Sequence, residues 1–171
     1  DGKIGCHWND ENWSWDVNSG LTLTTADVGK WVHIAMTASS TGLEFYLNGK
    51  KGIRISRTIN TATIGSGLML GKNQPGDAVF IGAFDQVALW NRTLTPQEIV
   101  KYMHSRTYLN DAGLLSYITF DKEETGGGYF DLKSNASVAF NGVVQTNQVS
   151  NIPFNFAAQQ SRTRTANNGV M

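Results

Sequence analysis

The sequence predicts an all-β protein, a sandwich of antiparallel sheets, and three observations carry that expectation. Gly is abundant at 18 of 171 residues, and Thr, Ser and Asn are frequent, the composition of strands joined by tight turns. Apolar and polar residues alternate in short runs separated by turn signals at short intervals. Only one stretch has helical spacing.

The elements follow in chain order. KWVHIAMTA, residues 30–38, places Val32, Ile34, Met36 and Ala38 on one face and Trp31, His33, Ala35 and Thr37 on the other. Both faces are largely apolar, which predicts a central strand covered on both sides. LEFYLNGKKG alternates Leu43, Phe45 and Leu47 against Glu44, Tyr46 and Asn48. It then reaches Asn48-Gly49, the strongest short hairpin signal because both residues tolerate positive φ, and a hairpin is expected over 42–56. LMLG at 68–71 reads as a further strand before a Pro75-Gly76 turn, and residues 79–90 as strand material bent near Gly82. TPQEIVKYMHSR, residues 95–106, is the helix. Thr95 can cap, Pro96 occupies the first helical position, Glu98 completes a capping box, and Ile99, Tyr102 and Met103 form the apolar stripe. LLSYITFD at 114–121 and SVAFNGVVQ at 137–145 are strands, with a Gly-rich loop between them. Beyond Phe156 large apolar residues nearly vanish, so 156–171 reads as a polar tail or linker and 1–155 as one domain.

Charge and cysteine content narrow the function classes. Lys plus Arg equal Asp plus Glu at 14 each, a neutrality that leaves no electrostatic footprint for nucleic acid or an anionic membrane. No run approaches a membrane span. The single cysteine, Cys6, excludes an internal disulfide framework and a cysteine-based zinc site, and its alternation with Ile4 and Trp8 makes it a small buried hydrophobe. Asn12, Asn91 and Asn135 each open a short glycosylation-acceptor pattern, one that is common by chance.

Three stretches together resemble the laminin G-like modules of the concanavalin A-like lectin and glucanase superfamily, in the form common in bacterial surface and secreted proteins. GKWVHIAMTASSTGLEFYLNGK carries Trp31-x-His33-x-Ala35 and the Tyr46-x-Asn48-Gly49 hairpin. IGAFDQVALWNRTLTPQEI carries Gly82 and Asp85 before an apolar-aromatic strand, then Thr95-Pro96-x-Glu98-Ile99. LLSYITFDKEETGGGYFDLKSNASVAFNGV carries Tyr117, Phe120-Asp121 and Asp131-x-x-Ser134-Asn135. The resemblance implies a jelly-roll sandwich of two antiparallel sheets with one short surface helix. It also implies a secreted, periplasmic or cell-surface location beside neighbouring modules of a larger chain. Members of that family carry an N-terminal half ahead of a stretch like DGKIGCHWND. That part is expected either to be missing or to be supplied in permuted order by residues 113–150.

No catalytic constellation emerges. Retaining glycoside hydrolysis needs two carboxyls about 5 Å apart, and the strand pattern Glu-x-Asp-x-x-Glu used by related glucanases is absent. Glu44 reads as a solvated strand residue, Asp85 as a structural Asp bonding a turn, and Glu123-Glu124 as a solvated loop pair. His33 reads as a buried, hydrogen-bonded structural histidine, and no Gly-x-Ser-x-Gly elbow accompanies it. The expectation is therefore a protein that is not an enzyme.

The window CHWNDENWSWDVNSG, residues 6–20, holds the binding candidates. Trp8 follows the parity of Ile4 and Cys6 into the core. Trp13 and Trp15 follow an Asn/Asp loop. There an exposed indole would stack on the apolar face of a sugar ring, and Asn9, Asp10 and Asn12 would exchange hydrogen bonds with its hydroxyls. The alternative is that the two indoles cover the end of the sandwich. No cofactor is required. Asp10 and Asp16 are the weak candidates for calcium, because laminin G-like modules often hold one and oxygen-rich loops are what this hard cation takes. The expected partner is a glycan or a surface protein, and the competing function is a protein-adhesion or spacer domain without a glycan ligand.

Overall fold

In the computed structural model, the structure describes residues 2–7, 17–59, 70–71, 80–121 and 129–138. Among the described residues the strands are short, every pairing is antiparallel and there is one α-helix. The largest sheet is built on the hairpin of β1 (Ile34–Ser39) and β2 (Gly42–Leu47), to which β3 (Lys50–Lys51) and β4 (Ile55–Ser56) both pair along β2. The β2–β3 turn is made by Asn48 and Gly49 at φ 49° and 76°, the double positive-φ geometry that twists with its strands.

The register places Ile34, Met36 and Ala38 opposite Leu47, Phe45 and Leu43, and Leu43 opposite Ile55. Directly opposed residues share a face, so all of these side chains lie on one apolar surface. Ile4, Leu21 and Ile59 close over Leu43 and Phe45, with Cys6, Val17, Leu23, Ala38, Leu47 and Ile55 packed around them. Cys6 is thus the apolar filler its alternation implied, and burial pushes its thiol up from the ordinary value.

The expectation of a central strand covered on both sides is corrected at β1. Ile34 is 51% and Met36 45% exposed, although both lie on the core face. The physical reason is that the covering residues sit over β2, while β1 ends the sheet order among the described residues.

A second sheet pairs β5 (Val87–Trp90) with β6 (Leu114–Ile118), with a register shift between Leu89 and Trp90. A third pairs β7 (Tyr129–Phe130) with β8 (Ser137–Val138). Of the strand expected over 79–90, the described residues 80–90 form strand only over the last four. Gln86 takes φ 53° and interrupts extended backbone just before β5, and Phe120 at φ 55° stops the chain after β6. Upstream, Phe80, Ile81 and Phe84 are exposed, with the two phenyl rings 4.7 Å apart.

The helix α1 (Pro96–His104) falls inside its expected span. The Glu98 amide donates to Thr95 Oγ1 at 3.2 Å, and the Thr95 amide donates to Glu98 Oε2 at 2.8 Å, a reciprocal box. Arg92 grips the same carboxylate with both terminal nitrogens, at 3.1 and 2.7 Å, and with Thr95 outweighs desolvation to hold Glu98 down at about 2. Ile99 is buried and Tyr102 stacks on Trp90 at 5.1 Å. Thr95→Ala is expected to cost about 1 kcal/mol. Chemical denaturation checks it, and an unchanged midpoint would mean that the Arg92 clamp alone holds the helix start.

Candidate functional site

The window at residues 6–20 is flanked by two short stems. Residues 2–5 run against 19–23: the Ile4 amide donates to Leu21 O at 2.9 Å, the Leu23 amide to Gly2 O at 2.8 Å, and Lys3 bridges Thr22. The Ser19 hydroxyl is buried and donates to Ile4 O, while the Leu21 amide donates to Ser19 Oγ at 3.2 Å. The Ile53 amide donates to Ser19 O at 2.6 Å, tying the second stem to the segment between β3 and β4.

Glycine makes this proximity possible. A Cβ on Gly5 would stand 2.4 Å from Val17 O, and one on Gly52 would stand 2.3 Å from Ser19 O. Neither clash is with a flexible side chain, so the stem at 17–19 fits only between two residues without side chains. Cys6 and Val17, at the two mouths of the window, both pack against the core. The described residues on the two sides of the window, up to 7 and from 17, are therefore held close together.

The sequence-derived contacts Asn9, Asp10, Asn12, Trp13 and Trp15, with the calcium candidate Asp16 and the core candidate Trp8, lie outside the described residues. Asn18, just inside the second stem, accepts from the Gly20 amide through Oδ1 at 2.8 Å. Glu123 and Glu124 also lie outside the described residues.

Glu44 departs from its sequence reading as a solvated strand residue. Its side chain is only 15% exposed, with Lys51 Nζ at 2.9 Å and Arg54 Nη1 at 2.8 Å from Oε1. The Tyr46 hydroxyl donates to Oε2 at 3.0 Å, and Arg54 reaches on to Thr41 Oγ1 at 2.8 Å. Lys51 first, then Arg54 and Tyr46, outweigh burial and hold the Glu44 carboxyl at about 2. Burial and the Glu44 charge push the Tyr46 phenol up to about 12. The signal available in the sequence was the hairpin register itself, which sets Tyr46 opposite Lys51 on the face carrying Glu44.

Asp131 is the other committed carboxylate, buried at 7% exposure. Its Oδ1 accepts from the amides of Tyr117, Lys133 and Ser134 at 2.9, 2.8 and 3.2 Å. Burial would raise it, but Tyr117, Ser116, Lys133 and Ser134 outweigh burial and hold it at about 2. Asp85 is half-buried ahead of β5. His33 is half-buried where a buried, hydrogen-bonded ring was expected; its hydrogen bonds are made by its backbone, and among the described residues its ring Nδ1 is buried without a partner.

Among the described residues, no three His, Cys, Asp or Glu side chains are placed to hold a metal ion, and no helix is long and apolar enough to cross a membrane. A laminin G-type family model, described as the concanavalin A-like lectin/glucanases superfamily, matches residues 1–100. No solved structure matches the chain.

Proposed function

The chain belongs to the concanavalin A-like lectin/glucanases superfamily, and from that premise we propose that it is a non-catalytic, carbohydrate-binding module of a secreted or cell-surface protein. The observation that carries this reading is the pinned pair of stems that flanks, in sequence, a window of three tryptophans and several amide and carboxylate side chains. Binding loops on rigid scaffolds recognise ligands because the scaffold has already met their ordering cost. Trp13 and Trp15 would offer the stacking faces, and Asn9, Asp10 and Asn12 the hydroxyl contacts. Calcium held by Asp10 and Asp16 is a subordinate part of this proposal.

Charge supports the non-catalytic reading. A glycosidase acid needs a carboxyl raised toward neutrality, whereas Glu44, Glu98 and Asp131 are all held at about 2 by their partners.

The test is a glycan array on the folded chain, with calcium and again with chelator. Selective binding is expected, and Trp13→Ala with Trp15→Ala should abolish it while leaving the melting curve in place. Unchanged binding in the folded double variant would sink the site assignment. A loss of ~3–5 kcal/mol of stability per substitution would instead return the indoles to the core. The second reading, protein adhesion, is favoured by the exposed apolar loop of Phe80, Ile81 and Phe84, and a blank array from folded protein would select it.

A further inference from the structure

His33 stands just before β1, and its backbone is tied in both directions to the β2–β3 turn. Its N–H donates to Asn48 Oδ1 and its carbonyl accepts from the Asn48 amide, each at 2.8 Å. The next residue, Gly49, lies against α1. A Cβ there would meet Met103 Cε and Val100 Cγ2, each at 3.2 Å. His104, the last residue of the helix, follows Met103 directly. His33 thus belongs through its backbone to the joint between hairpin and helix end, and among the described residues its ring Nδ1 is buried without a hydrogen-bond partner.

A neutral imidazole tolerates one idle lone pair, but an imidazolium carries two donors and a charge, and buried charge without acceptors is costly. The charged side chains of the two elements offer no acceptor. On α1, Glu98 is held by Arg92, and Lys101 lies over the rings of Tyr102 and Tyr108. On the hairpin, Glu44 is held by Lys51 and Arg54, and Lys50 is a further cation. Among the described residues, the charge that acts on His33 is that of His104.

We propose that His33 and His104 form an acid-sensitive latch, in which the neutral His33 ring seals the β1–β2 hairpin against α1 and its protonation releases the helix end. Burial first, and His104 second, push the His33 imidazole below its ordinary value, in the direction the latch requires. The sign is the reverse of a salt-bridged histidine. The unfolded chain takes up this proton near 6.5 while the folded chain does not, so stability is full above 6.5 and declines as pH falls toward the lowered folded value.

Amide exchange and histidine NMR on the whole chain test this. Between pH 7.5 and pH 5, protection factors at Asn48, Gly49 and Val100–His104 should fall by about tenfold relative to the β6 amides. In His33→Gln the two pH values should give equal relative protection. His104→Gln, a change at the helix end, should raise the His33 titration midpoint, and it serves if His33→Gln does not fold. A His33 midpoint at or above 6.5, or α1 and β6 amides losing protection in parallel, would overturn the latch.

Discussion

Leu43→Ala is expected to cost about 3–5 kcal/mol of folding stability, the range for a buried large-to-small change. Leu43 has no exposed surface and sits on β2 with Ala38 on one side and Ile55 on the other. Ile4, Leu21, Phe45 and Ile59 close the same cluster, so the cavity left by truncation is walled by residues from four separate stretches. The flanking strands β1 and β4 are held by strand hydrogen bonds and cannot move in to fill it. Against a typical 5–15 kcal/mol for a domain, this is a large share. Urea denaturation at neutral pH should show a lower midpoint with an unchanged slope. A cost below ~1 kcal/mol would mean that this cluster is not the centre of the fold.

Asp131→Ala should be nearly as damaging, at roughly 3 kcal/mol, because it strands several donors at once. The amides of Tyr117, Lys133 and Ser134 converge on one carboxylate oxygen, binding β6 to the turn after β7. The Asp131 amide in turn donates to Ala136 O and the Asn135 amide to Asp131 O, each at 2.8 Å, so the turn depends on this residue for side-chain and backbone bonds alike. Its carboxyl is depressed in the fold from 3.8 to about 2. The stability it contributes is therefore complete above pH 4 and is lost between about 4 and 2, as the folded-state carboxylate takes up its proton. Asp131→Asn should flatten that part of the acid-denaturation curve. A variant curve that parallels the wild type down to pH 2 would assign the acid loss to Glu44 and Glu98, which are also held at about 2.

What could be read beforehand was what depends on near neighbours in sequence. Asn48-Gly49 specified its turn because only positive φ closes so short a link, and Thr95, Pro96 and Glu98 specified the helix start because capping is complete within four residues. Where strands end was harder. The apolar run before β5 alternates well enough for a strand, but the backbone reverses sign at Gln86, a residue with no turn preference to betray it. Ile34 and Met36 were misread for another reason. Alternation tells which side chains share a face and says nothing about whether a distant segment covers that face. Glu44 illustrates the same limit for charge. Lys51 and Arg54 reach it only through pairings along β2 that place them beside it. At the proposed site, the sequence displayed the tryptophans and amides of the window. The glycines at 5 and 52 that seat its stem carry no side chain from which their role could be inferred.

Those two glycines have a consequence for how such a protein can change. With the stems fixed by their own bonds, residues 7 and 17 stand as two held ends between which the sequence of the window can vary. Doubling the length of a flexible loop adds only about 0.6 kcal/mol of closure entropy. In the proposed function the window would take insertions or exchanges at a cost smaller than losing one buried methylene from the cluster around Leu43, so ligand preference would diversify there while the Gly5 and Gly52 positions stay closed to any side chain.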